Sequence, residues 1–147
     1  MKTGYTVGDV MTTKPVTCDP DISLTRAAQL MIQKDVGSLL IVDGFLVGML
    51  TEKQLVRKIA ESAFFDTLTV KDCMTPTTDL VTTEPEKDIY DAILLMKNSD
   101  KTKLPVVKNQ NMQGIITAKD ILKVKSSLID LIQDNIRIRE EDRKLGL

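Results

Sequence analysis

The sequence predicts a mixed α/β fold of the α+β type. Two β-α-β-β-α repeats pack sheet to sheet about a pseudo-two-fold axis, and a C-terminal helix follows. Three observations lead there. The chain is written twice, at a nearly constant offset. Each copy holds one helix whose apolar residues recur at helical spacing. Each copy also holds a strand pair that is apolar along its whole length, which asks for cover on both faces.

The repeat shows at several points. TVGDVMT, from Thr6, matches TVKDCMT, from Thr69, at an offset of 69 − 6 = 63. VTCDPD, from Val16, matches VTTEPE, from Val81, at 81 − 16 = 65. GMLTEKQ, from Gly48, matches GIITAKD, from Gly114, at 114 − 48 = 66. The steps in offset fall where loops are expected.

Within each copy the elements follow in order. Thr6 and Thr69 are placed as N-caps of short helical turns. Val16-Thr17-Cys18 and Val81-Thr82-Thr83 read as short strands ended by Pro20 and Pro85. Ser23 and Asp88 then cap helices. Leu24, Ala27, Ala28 and Met31 form one apolar stripe, repeated by Ile89, Ala92, Ile93 and Met96. Leu39 to Val42 and Leu104 to Val107 read as buried strands. Asp43-Gly44 is a hairpin signal, and Lys108-Asn109-Gln110-Asn111 is the longer turn of the second copy. Leu46 to Leu50 and Gly114 to Ile116 are third strands, leading into helices at Thr51 and Thr117. One such unit, about 60 residues, is marginal alone, so the two are expected to share a core. The units are set at 1–62 and 63–125, with a C-terminal amphipathic helix at 126–147.

Composition narrows the function classes. The 147 residues carry 20 basic and 21 acidic side chains, a net charge of −1, and 3% aromatics. That balance argues against nucleic acid as the main partner. The longest apolar run, Leu39 to Val42, is far short of the ~20 residues that span a bilayer, and the N-terminus lacks a signal-peptide apolar region, so a cytoplasmic protein is expected. Cys18 and Cys73 have no CxxC partner and read as buried free thiols. There is no histidine. This removes the commonest general base and transition-metal ligand, so no metal site and no catalytic set are expected.

Thr117 and Asp120 have two readings. Thr-x-x-acid before an apolar run is a capping box, and Thr51 with Gln54 satisfies the same box. The second reading adds a ligand. A helix N-terminus suits a phosphate. A carboxylate one turn in accepts two hydroxyl donors, as a ribose diol requires, and an amide serves that diol less well.

The ordered motifs GDVM, VTxxPD, an Ala-rich helix, LLIVD or LPVV, and GIITxxD, all occurring twice, resemble the cystathionine-β-synthase (CBS) domain. Two in tandem resemble a Bateman module, over about Val7 to Lys125. The resemblance implies an adenine nucleotide or related adenosyl ligand in clefts between the copies, and a homodimer. It implies that the Thr and Asp of GIITxxD contact phosphate and ribose. Carried over, Thr117 and Asp120 match fully; Thr51 matches and Gln54 departs. The base would then be read at Val16 and at Val36, Gly37 and Ser38 in the Asp120 cleft. In a second, weaker cleft the same roles fall to Val81 and to Lys101, Thr102 and Lys103. Lys103 stands where the family often places a phosphate-binding cation, and Lys119 could charge the first cleft. The resemblance therefore implies a regulatory module, without catalysis, that binds AMP, ADP, ATP or S-adenosylmethionine and signals to an effector protein. The alternative is an assembly module whose clefts stay empty. The tail, with Ile129, Ile132 and Ile136 on one face, is read as folding back on its own domain or joining a dimer. Its acids argue against a membrane surface.

Overall fold

The computed structural model describes residues 2–62, 64–124, 137, 140–141 and 143–146. It opens with a short helix, α1 (Val7–Val10), held by a full capping box. The Asp9 carboxylate accepts from the Thr6 N–H at 2.9 Å, and the Asp9 N–H donates to the Thr6 hydroxyl at 3.2 Å. The first repeat then runs β1 (Thr17–Cys18), α2 (Leu24–Lys34), β2 (Ser38–Asp43), β3 (Phe45–Thr51) and α3 (Glu52–Glu61). A second short helix, α4 (Val70–Cys73), leads into β4 (Thr75–Pro76). The second repeat supplies α5 (Ile89–Ser99), β5 (Lys103–Lys108), β6 (Asn111–Thr117) and α6 (Ala118–Leu122).

Local sequence sets the element ends. Ser23 and Asp88 cap α2 and α5 with their side chains. Both helices stop at an aspartate in the left-handed region, Asp35 at φ 53° and Asp100 at φ 55°. Aspartate tolerates that conformation better than most side chains. The β5–β6 turn places Asn109 and Gln110 at φ 51° and 67°, the twin positive φ of a tight hairpin turn.

The first sheet has the order β1-β2-β3-β4, with β1 parallel to β2 and the other pairs antiparallel. The second sheet pairs β5 with β6. The strand expected at Val81 to Thr83 is reduced to one parallel bridge, Thr83 to Val106. Its backbone hydrogen bonds are Thr83 N–H to Pro105 C=O at 3.0 Å and Val107 N–H to Thr83 C=O at 2.9 Å. Leu40, Leu46 and Met49 of the first sheet meet Ile115 of the second in a cluster that joins the sheets.

The segment before each repeat lies on the other repeat. Thr75 and Pro76 pair with β3, and Thr12 bridges to Ile115 of β6. Val70 is fully buried in the core of the first repeat with Leu24, Met31 and Leu50. Val7 is fully buried in the second with Ile89, Leu104 and Ile116. The backbone bonds are matched too. Val7 N–H donates to Lys87 C=O at 2.7 Å, and Val70 N–H to Ile22 C=O at 2.9 Å. This crossing explains the glycine that opens each Gly-x-x-Thr stretch. A Cβ on Gly114 would lie 2.3 Å from the Thr12 carbonyl oxygen, and one on Gly48 would lie 2.8 Å from that of Thr75.

The described tail residues 137, 140–141 and 143–144 are helical. Ile129, Ile132 and Ile136, read as its packing face, lie outside the described residues.

Candidate functional site

The crossing leaves two cavities between the repeats, each built from the end of one repeat's long helix and the Gly-x-x-Thr turn of the other. The first holds about 470 Å³. Val16, Val36, Gly37 and Ser38 of the first repeat line it, facing Thr117 and Lys119 of the second. Thr12, Lys14, Asp35, Glu52, Thr102 and Lys103 also line it. The second holds about 450 Å³ and is lined by Thr51, Gln54, Val81, Lys101, Thr102 and Lys103. Lys53, Arg57, Thr75, Asp79 and Asp100 join them.

Asp120 alone of the expected site residues lies off the cavity lining. It is 4% exposed and backs onto Thr12 and Thr117, which do line the first cavity. Its Oδ2 accepts from the Thr117 N–H at 3.0 Å, and its own N–H donates to the Thr117 hydroxyl at 3.2 Å. Both halves of the capping box are therefore made. The other oxygen, Oδ1, is held loosely, by the Thr12 hydroxyl at 3.4 Å and the Lys123 amine at 3.5 Å. Contacts that long leave it able to take a better donor.

Gln54 sits differently in the same frame. Its Oε1 accepts from the Thr51 N–H at 2.8 Å and the Thr51 hydroxyl at 3.3 Å. Its Nε2 donates to the Thr75 hydroxyl at 2.7 Å. The amide is tied at both ends, whereas the carboxylate of Asp120 is tied firmly at one.

Lys103, expected at the second cleft, lines both cavities. Its amine stands over Gly37 beside the Glu52 carboxylate. A Cβ on Gly37 would come 3.2 Å from the Lys103 Nζ and 3.0 Å from the Glu52 Oε1. A bare Cα at residue 37 is what allows these groups to approach the backbone.

Thr12 and Thr75 were not singled out from the sequence as site residues, although they close matching repeat motifs, TVGDVMT and TVKDCMT. Their partnership with Asp120 and Gln54 depends on the crossing of segments between repeats, which spacing within either copy does not reveal.

Both cysteines are free and half-buried. Burial, reinforced by the charge of Asp19, pushes the Cys18 thiol up to about 11. Burial likewise raises Cys73. Neither is poised as a thiolate nucleophile. No group of three or more metal-ligating side chains occurs among the described residues. No helix among them is long and apolar enough to cross a membrane.

Comparison with known proteins agrees with this architecture. The CBS domain family matches residues 7–61 and 70–127. The CBS domain-containing protein YhcV of Bacillus subtilis is 33% identical over 116 residues, covering 78% of this chain and 81% of that protein. Among solved structures, the CBS domain pair of protein MJ0100 in complex with 5-methylthioadenosine and S-adenosyl-L-methionine superposes with a TM-score of 0.74. It is 25% identical, covering 84% of this chain and 97% of its own. CBSX2 in complex with AMP superposes at 0.73, with 25% identity, covering 84% and 98%. Both halves of the chain match the family, and the crossed two-sheet fold is that of solved CBS pairs. The chain therefore belongs to the CBS domain family, as two CBS repeats in tandem.

Proposed function

We propose that the chain is a regulatory module that binds an adenosyl ligand, AMP, ADP, ATP or S-adenosylmethionine, in the Asp120 cavity. The observation that carries this reading is the meeting of Val16, Val36, Gly37 and Ser38 with Thr117 and Lys119 around one cavity of about 470 Å³. Each group has a part suited to it. The backbone at Val36 to Ser38 offers hydrogen bonds to a base edge. Thr117 and Lys119, at the start of α6, suit a phosphate or carboxylate. The Oδ1 of Asp120 accepts a ribose hydroxyl by exchanging its long contact to Thr12.

The liganded relatives support the class of ligand: one holds 5-methylthioadenosine and S-adenosyl-L-methionine, another AMP. With no histidine in the chain and two unactivated thiols, the site binds rather than catalyses. Ligand occupancy shifts the packing of the repeats, and an effector protein reads that shift. The active form is a cytoplasmic homodimer. Ile32 of α2, Val56 and Ile59 of α3, and Phe64 are exposed large apolar residues, 82%, 66%, 59% and 73% accessible, and a second copy would cover them. The units of function are residues 1–62 and 63–125.

Thermal shift with AMP, ADP, ATP and S-adenosylmethionine tests this reading. At a hundred times Kd a ligand adds about 2.7 kcal/mol, worth several degrees in a chain of this size. Melting unchanged by all four would overturn it.

A further inference from the structure

We propose that the side chains of Glu52 and Lys103 set the base preference of the first cavity, selecting an aminopurine such as adenine against an oxopurine such as hypoxanthine. The inference rests on the adenosyl reading of that cavity and names the groups that would make it selective. It turns on Gly37. A Cβ built there would lie 3.0 Å from the Glu52 Oε1 and 3.2 Å from the Lys103 Nζ. Whatever comes up to the bare backbone of residue 37 therefore meets a carboxylate oxygen and an ammonium together. Glu52 opens α3 in the first repeat, and Lys103 opens β5 in the second. Both line the first cavity. Among the described residues neither is in an ion pair. An acceptor and a donor thus stand side by side, and neither quenches the other.

The Watson–Crick edge of adenine carries the complementary pattern, an amino group that donates beside a ring nitrogen that accepts. A carboxylate is acceptor only and an ammonium donor only, so neither can reverse its role. Hypoxanthine inverts the edge. Its carbonyl oxygen would face the carboxylate, and its ring N–H would face the ammonium. Turning the base over would restore the match, but the ribose at Asp120 and the phosphate at Thr117 fix its direction in the proposed pose. The second repeat shows that the fold does not ask for this acid. Ala118 stands where Glu52 does. Its N–H donates to the Thr102 C=O at 2.9 Å, as the Glu52 N–H donates to the Gly37 C=O at 3.0 Å. A first-turn acid also complements the helix dipole, but that task does not require the carboxylate to lie over residue 37.

Isothermal titration of AMP and IMP into wild type, Glu52→Gln, Glu52→Ala and Lys103→Met tests the assignment. Wild type is expected to bind AMP about tenfold more tightly than IMP, or better, since each base edge gains or loses hydrogen bonds to charged groups. In Glu52→Gln the amide can accept or donate, so the two nucleotides should bind within about threefold of each other. Glu52→Ala should weaken AMP and leave IMP unchanged or improved, a divergence that loss of the fold cannot produce. Lys103→Met should narrow the same preference, whatever it does to phosphate affinity, because AMP and IMP carry the same phosphate. Glu52 does not line the second cavity, so its replacement reports on the first. Equal binding of AMP and IMP by wild type, or a preference that survives in either Glu52 variant, overturns the assignment and leaves the adenosyl reading standing. A preference untouched in Lys103→Met overturns the pairing with Lys103. Binding of neither nucleotide by wild type overturns the assignment, and the adenosyl reading falls with it only if S-adenosylmethionine also fails to bind.

Discussion

Asp120 caps α6 with one oxygen and makes only long contacts with the other, so a single substitution can separate the cap from the proposed ligand contact. In Asp120→Gln the amide can rebuild the capping box, as Gln54 does at the head of α3. Unliganded stability should change by no more than about 1 kcal/mol, the usual size of a capping contribution. Adenosyl affinity should fall about ten- to hundredfold, because a hydrogen bond to a charged group contributes roughly 1.5–3 kcal/mol. A full ligand-induced rise in melting temperature in this variant would leave Asp120 as a cap and nothing more. Gly114→Ala is predicted to act on the fold instead. Its Cβ would stand 2.3 Å from the Thr12 carbonyl oxygen, and backbone cannot swing aside as a flexible side chain can. Overpacking of this kind costs about 1–3 kcal/mol, read as a lower midpoint in urea; an unchanged midpoint would deny the close crossing. At this scale the sequence was partly legible. The Thr-x-x-acid box was readable because a cap is local. The buried position of Asp120, and its partner Thr12 at a separation of 108 residues, were not, because no local pattern encodes a contact across the molecule.

Helix ends carry much of the fold's definition at the next scale. Among the described residues capping boxes recur at Thr6, Thr51, Thr69 and Thr117. Asp9 and Asp72 close the first and third. Hydrogen bonds from the Thr6 and Thr69 backbone N–H groups, then from their side chains, hold both carboxyls below the ordinary 3.8. A depressed carboxylate contributes stability that is present above its unfolded value and lost as pH falls through the folded one. The double variant Asp9→Asn/Asp72→Asn should therefore be less stable than wild type at neutral pH. The two should converge on the acid side of 3.8, measured as urea midpoint against pH. A gap that persists in acid would place the effect outside the carboxyl charge. The ends of α2 and α5 offer the opposite case. Asp35 and Asp100 are left-handed, a conformation that costs a side-chain-bearing residue roughly 1–2 kcal/mol. Glycine at either position should raise the melting temperature, and a fall would show that the aspartate side chain contributes more than its backbone costs. The helices were legible because their apolar stripes and caps agree. The strand at Val81 to Thr83 was overcalled, since β-branched residues mark an extended segment but do not supply a partner along its length.

For the whole molecule, the exposed apolar residues on α2 and α3 predict a homodimer. Sedimentation at micromolar concentration should give a mass near twice 16.4 kDa, and Val56→Lys/Ile59→Lys should return the monomer. A wild-type monomer under those conditions would leave these side chains solvent-facing. The pseudo-symmetric sheet-on-sheet plan could be read from the duplicated motifs and the doubly apolar strands, because burial on both faces is written in composition. The exchange of leading segments could not, since Val7 and Val70 look alike in sequence and either could have served its own repeat. That exchange has a further meaning. Each half finishes its neighbour, as the two parts of a clasp do, and neither is whole when opened. Co-expressed fragments cut near Ser62 should find each other and copurify, while either fragment alone should aggregate. If the stretch from Glu61 to Thr69 were made too short to fold back, the fastening would close between two chains rather than within one.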